Sequence, residues 1–259
     1  MSRSGTKLEC IEKASIEVID ATALRKWLRS NIKAARKRGA LWVRFADAVR
    51  LLPSAEGRAR LWTRMAHGSE VHQTTPQTAE ERYPELFDLA ASLAPRAERV
   101  LSFGCSTGEE LSALRRRFPQ AEIVGAEINP RSRAIAARRV AADPHSTVVA
   151  PASLDGNFDI IFALSVFQRE PHKVEEMEVE DLSAHYPFAR FDDGVARLVR
   201  ILRPNGLLCV INAQYRIEDS SAADLLEPAN RSPRMDSTMF GPDGRRLDRP
   251  IARTIFRRL

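Results

Sequence analysis

Residues 99–126, RVLSFGCSTGEELSALRRRFPQAEIVGA, followed directly by Glu127, decide the fold. Val100, Leu101 and Phe103 read as an apolar strand, and Gly104, Cys105, Ser106, Thr107 and Gly108 as a turn; a helix follows, then a second strand through Ile123 and Val124 that ends on a carboxylate. Such a strand, turn, helix and strand make half of a nucleotide-binding fold. The two glycines let backbone N–H groups approach a ligand where a Cβ would clash, and the helix turns its positive end toward anionic groups. Glu127 lies 23 residues after Gly104, near the roughly 20 expected between a glycine turn and an acid that accepts hydrogen bonds from ribose hydroxyls. The spacing predicts a nucleoside ligand. A dinucleotide fits less well, because the pattern is G-x-x-x-G and lacks the third glycine of G-x-G-x-x-G.

Working outward, the pattern continues as alternating helices and strands. A helix is expected over 131–142, strands over 147–149 and 158–163, a polar insertion over 168–186, a helix over 191–202 and a strand over 207–213. That last strand is continuously apolar, as a strand covered on both faces should be. The tail holds an expected helix over 220–227, a hairpin signal at Pro242, Asp243 and Gly244, and an alternating segment over 251–259. Upstream, 71–82 is polar and broken by Pro76, a loop leading into a helix over 83–93.

The motif GCSTGEE, together with LRPNGLL at 202–208, resembles the class I S-adenosylmethionine-dependent methyltransferases, and the wording of GCSTGEE is similar to that of chemotaxis receptor methyltransferases. The resemblance covers about residues 83–259. It implies an α/β fold with a doubly wound, mostly parallel, seven-stranded Rossmann-like sheet, whose tail supplies the antiparallel edge, and S-adenosyl-L-methionine as cofactor. The residues it points to around the cofactor are Ser102, Gly104, Cys105, Ser106, Gly108, Glu109, Glu127, Ile128, Ser153, Leu154 and Leu164. Glu127 takes the ribose, and Glu109 or Glu110 the ammonium group. The sequence departs from the family in places. Ser102 stands where many relatives carry an acid, and 150–154 lacks the acid that meets the adenine amino group, leaving Ser153 or a backbone carbonyl. Asp159 sits where an acid is usual just inside the fourth strand. Segment 129–147 is too short for the small β-subdomain of the chemotaxis enzymes, and 163–167 lacks their aromatic signature.

Methyl transfer from a sulfonium is an in-line displacement, which needs positioning and desolvation more than any obligatory side chain. A hydroxyl or amine acceptor still benefits from a base, and histidine has the right unperturbed pKa, about 6.5. His185 and Tyr186 close the insertion on the side where substrates enter such folds, and with His72 they form the expected catalytic set; His172, Tyr215 and Asn212 are further candidates. The expected acceptor is an O or N atom of a small molecule. The rival readings are a protein carboxylate, an RNA, or a methyltransferase-like scaffold without activity.

The first 70 residues are expected to be a basic helical region preceding a methyltransferase domain over 71–259. Apolar spacing predicts helices from Asp20 to Gly39, over 41–52 and around 59–65, carrying Trp27, Trp42 and Trp62. Residues 24–64 carry twelve Arg or Lys against two acids, a local charge of +10 within a chain of +6. A solvated helical cap is the expected role; nucleic acid is the less favoured partner. Three cysteines at no metal-ligand spacing, no leader and no apolar run long enough to span a membrane predict a cytoplasmic protein without a metal site.

Overall fold

The computed structural model describes residues 49, 51–68, 70–73, 82–230, 238–248 and 253–259. Most of the helices expected over 20–52, most of the cations of 24–64, and residues 74–81 of the expected loop lie outside the described residues. The chain divides into two compact units, Met1–Gly68 with Asn129–Arg131, and Ser69–Ile128 with Ser132–Leu259.

In the first unit the expected third helix forms as α1, Ala55–Ala66. Ser54 caps its start, its Oγ accepting the Gly57 N–H at 2.9 Å, which satisfies one of the donors a helix start leaves open. Leu61 is buried and the Trp62 and His67 rings lie 5.5 Å apart.

The second unit is built on a seven-stranded sheet in the order β3-β2-β1-β4-β5-β7-β6. The strands are β1 Arg99–Phe103, β2 Glu122–Ala126, β3 Ser146–Val149, β4 Phe158–Leu164, β5 Leu202–Ile211, β6 Leu226–Pro228 and β7 Ile255–Arg258. The first five run parallel; β7 pairs antiparallel with β5 and with β6. Helices α2 Pro84–Leu93, α3 Glu109–Arg117, α4 Pro130–Arg139, α5 Pro171–Glu176 and α6 Phe188–Ile201 connect them. The doubly wound, mostly parallel sheet is thus present, closed by an antiparallel edge from the tail.

Alternation along the strands sorts the core onto two faces, as period-two side-chain direction requires. Leu101, Phe103, Ile161 and Leu208 pack with Phe191, Val195 and Leu198 of α6 on one face. Val100, Ile160, Phe162 and Cys209 pack with Phe87 and Ala90 of α2 and Leu111 and Leu114 of α3 on the other. On α6 the buried residues Phe191, Val195, Leu198 and Val199 recur at helical spacing.

Three expectations need correction. The fifth strand begins at Leu202, not at 207, because Leu202 already pairs with Phe158 before a register shift through left-handed Asn205 lets Leu207 meet Ile160; the preceding helix accordingly stops at Ile201. No helix forms over 220–227: 3-10 turns at Ile217–Asp219 and Ala223–Leu225 lead into β6, since Leu226 and Pro228 pair with Arg258 and Phe256 at the sheet edge, where a proline is tolerated. The insertion 168–186 is not simply a polar loop. It contains α5 and buries Val174, Leu182 and Tyr186, and Leu182 N–H donates to Gly244 O at 2.9 Å, tying it to the Pro242–Gly244 turn.

Candidate functional site

The turn after β1 is shaped by backbone that few side chains tolerate. Gly104, Ser106 and Gly108 have φ of 77°, 51° and 87°, and a Cβ on Gly104 would meet Val166 Cγ2 at 2.6 Å. Glycine at 104 is therefore required by both conformation and space. Gly104 N–H donates to Ala126 O at 2.8 Å, so the turn folds back over the end of β2. There Ser106 N–H donates to Glu127 Oε2 at 2.9 Å. Glu127 is buried, and the Ser106 Oγ is buried with no partner among the described residues. A buried hydroxyl without a partner is costly unless a ligand supplies one.

The two carboxylates after Gly108 have separate environments. Glu109 accepts from Thr107 Oγ1 at 2.7 Å and pairs with Arg139 Nη2 at 2.8 Å. Glu110 instead turns to the end of β1, where Ser102 Oγ donates to its Oε1 at 2.8 Å. Burial pushes the Glu110 carboxyl up to about 7, against the opposing pull of the Ser102 hydroxyl and the Arg82 charge. Its side chain nevertheless keeps some solvent access, so the group is recessed but not sealed. Cys105, in the same turn, is buried, and burial together with Glu127 and Glu110 raises its thiol well above the ordinary range.

The remaining cofactor candidates line the same carboxyl edge of the sheet. Ile128 follows Glu127 and is half-buried; Ser153, in a 3-10 turn over Pro151–Ser153, is exposed, and Leu154 after it is half-buried. Leu164 ends β4 and is buried. Asp159 lies at the opposite, amino edge: its Oδ2 accepts from Glu98 N and Arg99 N, each at 2.8 Å, and its Oδ1 pairs with Arg203 at 2.7 Å. It staples strand starts together.

One cluster at the carboxyl edge escaped the reading of the sequence as a unit. Ser165 directly follows β4 and Asn212 directly follows β5, both left-handed, with φ of 59° and 55°. Tyr83, just before α2, brings its hydroxyl within 2.9 Å of Ser165 Oγ, and Asn212 Nδ2 donates to Tyr83 Oη at 2.7 Å and to Ser165 Oγ at 2.9 Å. Non-glycine residues held at such φ cost on the order of 1–3 kcal/mol each and gather at functional sites. The available signal was a polar residue immediately after each of two apolar strands.

His72 and Tyr186 come together, with Nδ1 and Oη 2.6 Å apart. Both are buried; the His72 ring packs edge-on to Phe167 at 4.9 Å, and Arg169 Nη1 donates to the carbonyls of Val71 and His72. Burial, reinforced by the charges of Arg190 and Arg169, lowers the His72 imidazole to about 3, so it is neutral. Burial likewise raises the Tyr186 hydroxyl well above its usual range. His185 is exposed. Tyr215 is buried and donates to Tyr186 O, linking the same aromatic group.

These residues fit a nucleoside cofactor bearing an amino-acid chain: a glycine turn with no room for a Cβ, a buried carboxylate at the end of β2, a buried hydroxyl awaiting a partner and a recessed carboxyl at the end of β1. Among the described residues no group of three or more His, Cys, Asp or Glu is placed to hold a metal ion, and no helix is long and apolar enough to cross a membrane.

Residues 101–208, from β1 into β5, match the family model described as a methyltransferase domain. No curated protein matches the chain in sequence. Among solved structures, the chain is similar to the amino pentose methyltransferase CalS10 of Micromonospora echinaspora at 21% identity, covering 60% of this chain and 56% of that one with a TM-score of 0.39. It is similar to the N-methyltransferase NodS of Bradyrhizobium japonicum in complex with S-adenosyl-L-homocysteine at 18% identity, covering 69% and 86% with a TM-score of 0.44. For the sugar N-methyltransferase KedS8 of a Streptoalloteichus species the values are 22%, 54%, 49% and 0.37. The chain spans about half the length of the first structures it matches.

Proposed function

We propose that this chain, whose residues 101–208 match a methyltransferase domain, transfers the methyl group of S-adenosylmethionine to an O or N atom of a small-molecule acceptor. The observation that carries the reading is the closure of the Gly104–Gly108 turn onto Glu127 through the Ser106 N–H, beside a buried Ser106 Oγ that lacks a partner. Glu127 holds the ribose diol, Ser106 gains its missing hydrogen bond, and Ile128, Ser153 and Leu154 border the adenine. The cofactor, once bound, supplies an electrophilic methyl carbon on a sulfonium.

The chain's own contribution is to place the acceptor and keep water out. We assign acceptor positioning to Tyr83, Ser165 and Asn212, whose hydroxyls and amide converge at the ends of β4 and β5, one strand from the glycine turn. Ligands bind at the carboxyl ends of such strands where the order switches direction, here between β1 and β4. His185, with its exposed ring, is the proposed base; His72 and Tyr186 tie the residues around 71–73 to the end of the 168–186 insertion through their mutual hydrogen bond. Protein carboxylate acceptors, which the GCSTGEE wording raises, are the rival to exclude.

Titration with S-adenosylhomocysteine tests the cofactor reading: saturable binding of one equivalent is expected, and its absence in folded protein would overturn the assignment. Transfer of labelled methyl from S-adenosylmethionine to a panel of amines and alcohols, against a panel of acidic peptides, then separates the acceptor classes.

A further inference from the structure

Thr107 stands at the tip of the glycine turn, between two residues held left-handed, Ser106 and Gly108. A side chain kept at positive φ is strained, and a turn built this way keeps its shape only where its surroundings fix it. The base of the turn is fixed from the sheet: Gly104 N–H donates to Ala126 O and Ser106 N–H to Glu127. The tip has a different support. Among the described residues every hydrogen bond that Thr107 makes runs to Glu109 or Arg139. Its Oγ1 donates to the two Glu109 carboxylate oxygens at 2.7 and 2.9 Å, and its carbonyl accepts from Arg139 Nε at 2.9 Å. Arg139 Nη2 donates in turn to Glu109 Oε1 at 2.8 Å, which closes the circuit among the three residues. Arg139 ends α4, and one turn earlier the same helix presses on the glycine turn with Ala136: a Cβ on Gly108 would meet Ala136 Cβ at 2.9 Å and its Cα at 3.0 Å. Ala136 and Arg139 are three apart and share a helix face, so one face of α4 both bounds the end of the turn and grips its tip.

We propose that Arg139 is a positioning residue for the cofactor: with Glu109 as its bridge it grips Thr107 and holds the tip of the glycine turn in the shape that binds S-adenosylmethionine. This rests on the methyltransferase reading. It gives Glu109, which the motif resemblance sets against the cofactor, a different task, since the carboxylate already accepts from Thr107 and Arg139. The planar guanidinium suits the work, because its Nε and Nη2 present two N–H groups in a fixed fork to the Thr107 carbonyl and the Glu109 carboxylate at once, whereas a lysine ammonium is a single flexible point charge. The Arg139 and Glu109 side chains are 39% and 23% exposed, and an ion pair with that much access to water adds little to the stability of a whole domain. Its effect falls on the turn, whose binding-ready fraction multiplies into the apparent affinity for the cofactor. The three residues act as a unit, so breaking one contact removes nearly all that the circuit contributes.

The test is calorimetric titration of the full chain with S-adenosylhomocysteine, with thermal melting of each unliganded variant beside it. Arg139→Gln should lose about three- to tenfold in affinity, the equivalent of one hydrogen bond of ordinary strength, while its Tm without ligand stays within about 4 °C of wild type. Glu109→Gln should lose a similar amount, and the double variant no more than the larger single loss. Thr107→Val, which keeps the side-chain shape and deletes the hydroxyl, should fall in the same range, and it carries the test should Arg139→Gln fail to fold. Arg139→Lys should recover only part of the loss, and Arg138→Gln, the same change of charge one residue earlier, should bind as wild type does. Unchanged affinity in folded Arg139→Gln would overturn the proposal. So would losses that add in the double variant, because Glu109 would then meet the cofactor independently of Arg139, and so would an equal loss in Arg138→Gln, which would reduce the effect to net charge. Wild type that does not bind S-adenosylhomocysteine at all would overturn the methyltransferase reading itself.

Discussion

Replacing Glu127 separates what this side chain does for the turn from what it does for a ligand. Its backbone is held independently: Glu127 N–H donates to Val149 O at 3.1 Å and its carbonyl accepts from Arg133 Nη1 at 2.9 Å. In Glu127→Ala the ladder therefore persists, but the Ser106 N–H loses the carboxylate that accepts it at 2.9 Å. A buried donor left without its charged acceptor costs about 1–3 kcal/mol, and each kcal/mol lowers Tm by about 2–4 °C in a domain of this size. Two ribose hydroxyls donating to one carboxylate are worth roughly 1.5–3 kcal/mol each, so affinity for S-adenosylhomocysteine should fall at least tenfold. Glu127→Gln keeps one carbonyl oxygen for Ser106 and should recover most of the Tm while leaving cofactor binding weakened. Thermal melting and calorimetry read the two effects apart. A folded Glu127→Ala protein with unchanged affinity would refute the ribose assignment.

Two further predictions use other parts of the domain. His72 is neutral in the fold, its imidazole lowered to about 3 by burial and by Arg190 and Arg169, so its contribution is complete above the unfolded value of about 6.5 and is lost as pH falls toward 3, with a slope of up to about 1.4 kcal/mol per pH unit; Glu110, raised to about 7 by burial, works the other way between about 4.5 and 7. His72→Gln should flatten the fall in Tm between pH 6.5 and 5 relative to wild type, and an unchanged difference across that window would show that the ring does not titrate on unfolding. Asp159→Ala, which removes the acceptor of two strand-start N–H groups and the partner of Arg203, should cost about 1–3 kcal/mol in urea unfolding and leave S-adenosylhomocysteine affinity intact, because it acts at the edge of the sheet away from the glycine turn.

What the sequence made legible was what local pattern controls. The 99–126 unit reads directly because apolar runs, paired glycines and a helix of nine residues follow one another without interruption, and strands β2 to β4 begin within a residue of their expected starts. Pairing across distance was not legible. Leu202 looks like the last apolar position of a helix, and only its partner Phe158 makes it the first residue of β5. Segment 220–227 has helical composition, but Leu226 is claimed by the sheet edge opposite Arg258; in both places tertiary pairing overrides propensity.

The same division runs through the candidate site. The distance from Gly104 to Glu127 is a spacing within one supersecondary unit, so a sequence displays it. Tyr83, Ser165 and Asn212 meet across 82 and 129 positions, and no periodicity links them; the sheet's strand order brings β4 and β5 side by side and the helix after Tyr83 lies against one face. Ser102 shows why a missing motif residue is weak evidence of lost function. Read as a string, the position lacks an acid and argues for an inactive scaffold; read in space, it holds a hydroxyl that orients an acid supplied eight residues later by α3. The helix phase matters here, because Glu109 and Glu110 are adjacent in sequence yet project about 100° apart around the helix axis, which sends one to Arg139 and the other to the end of β1. A carboxyl is thus restored to the strand end through a different backbone position.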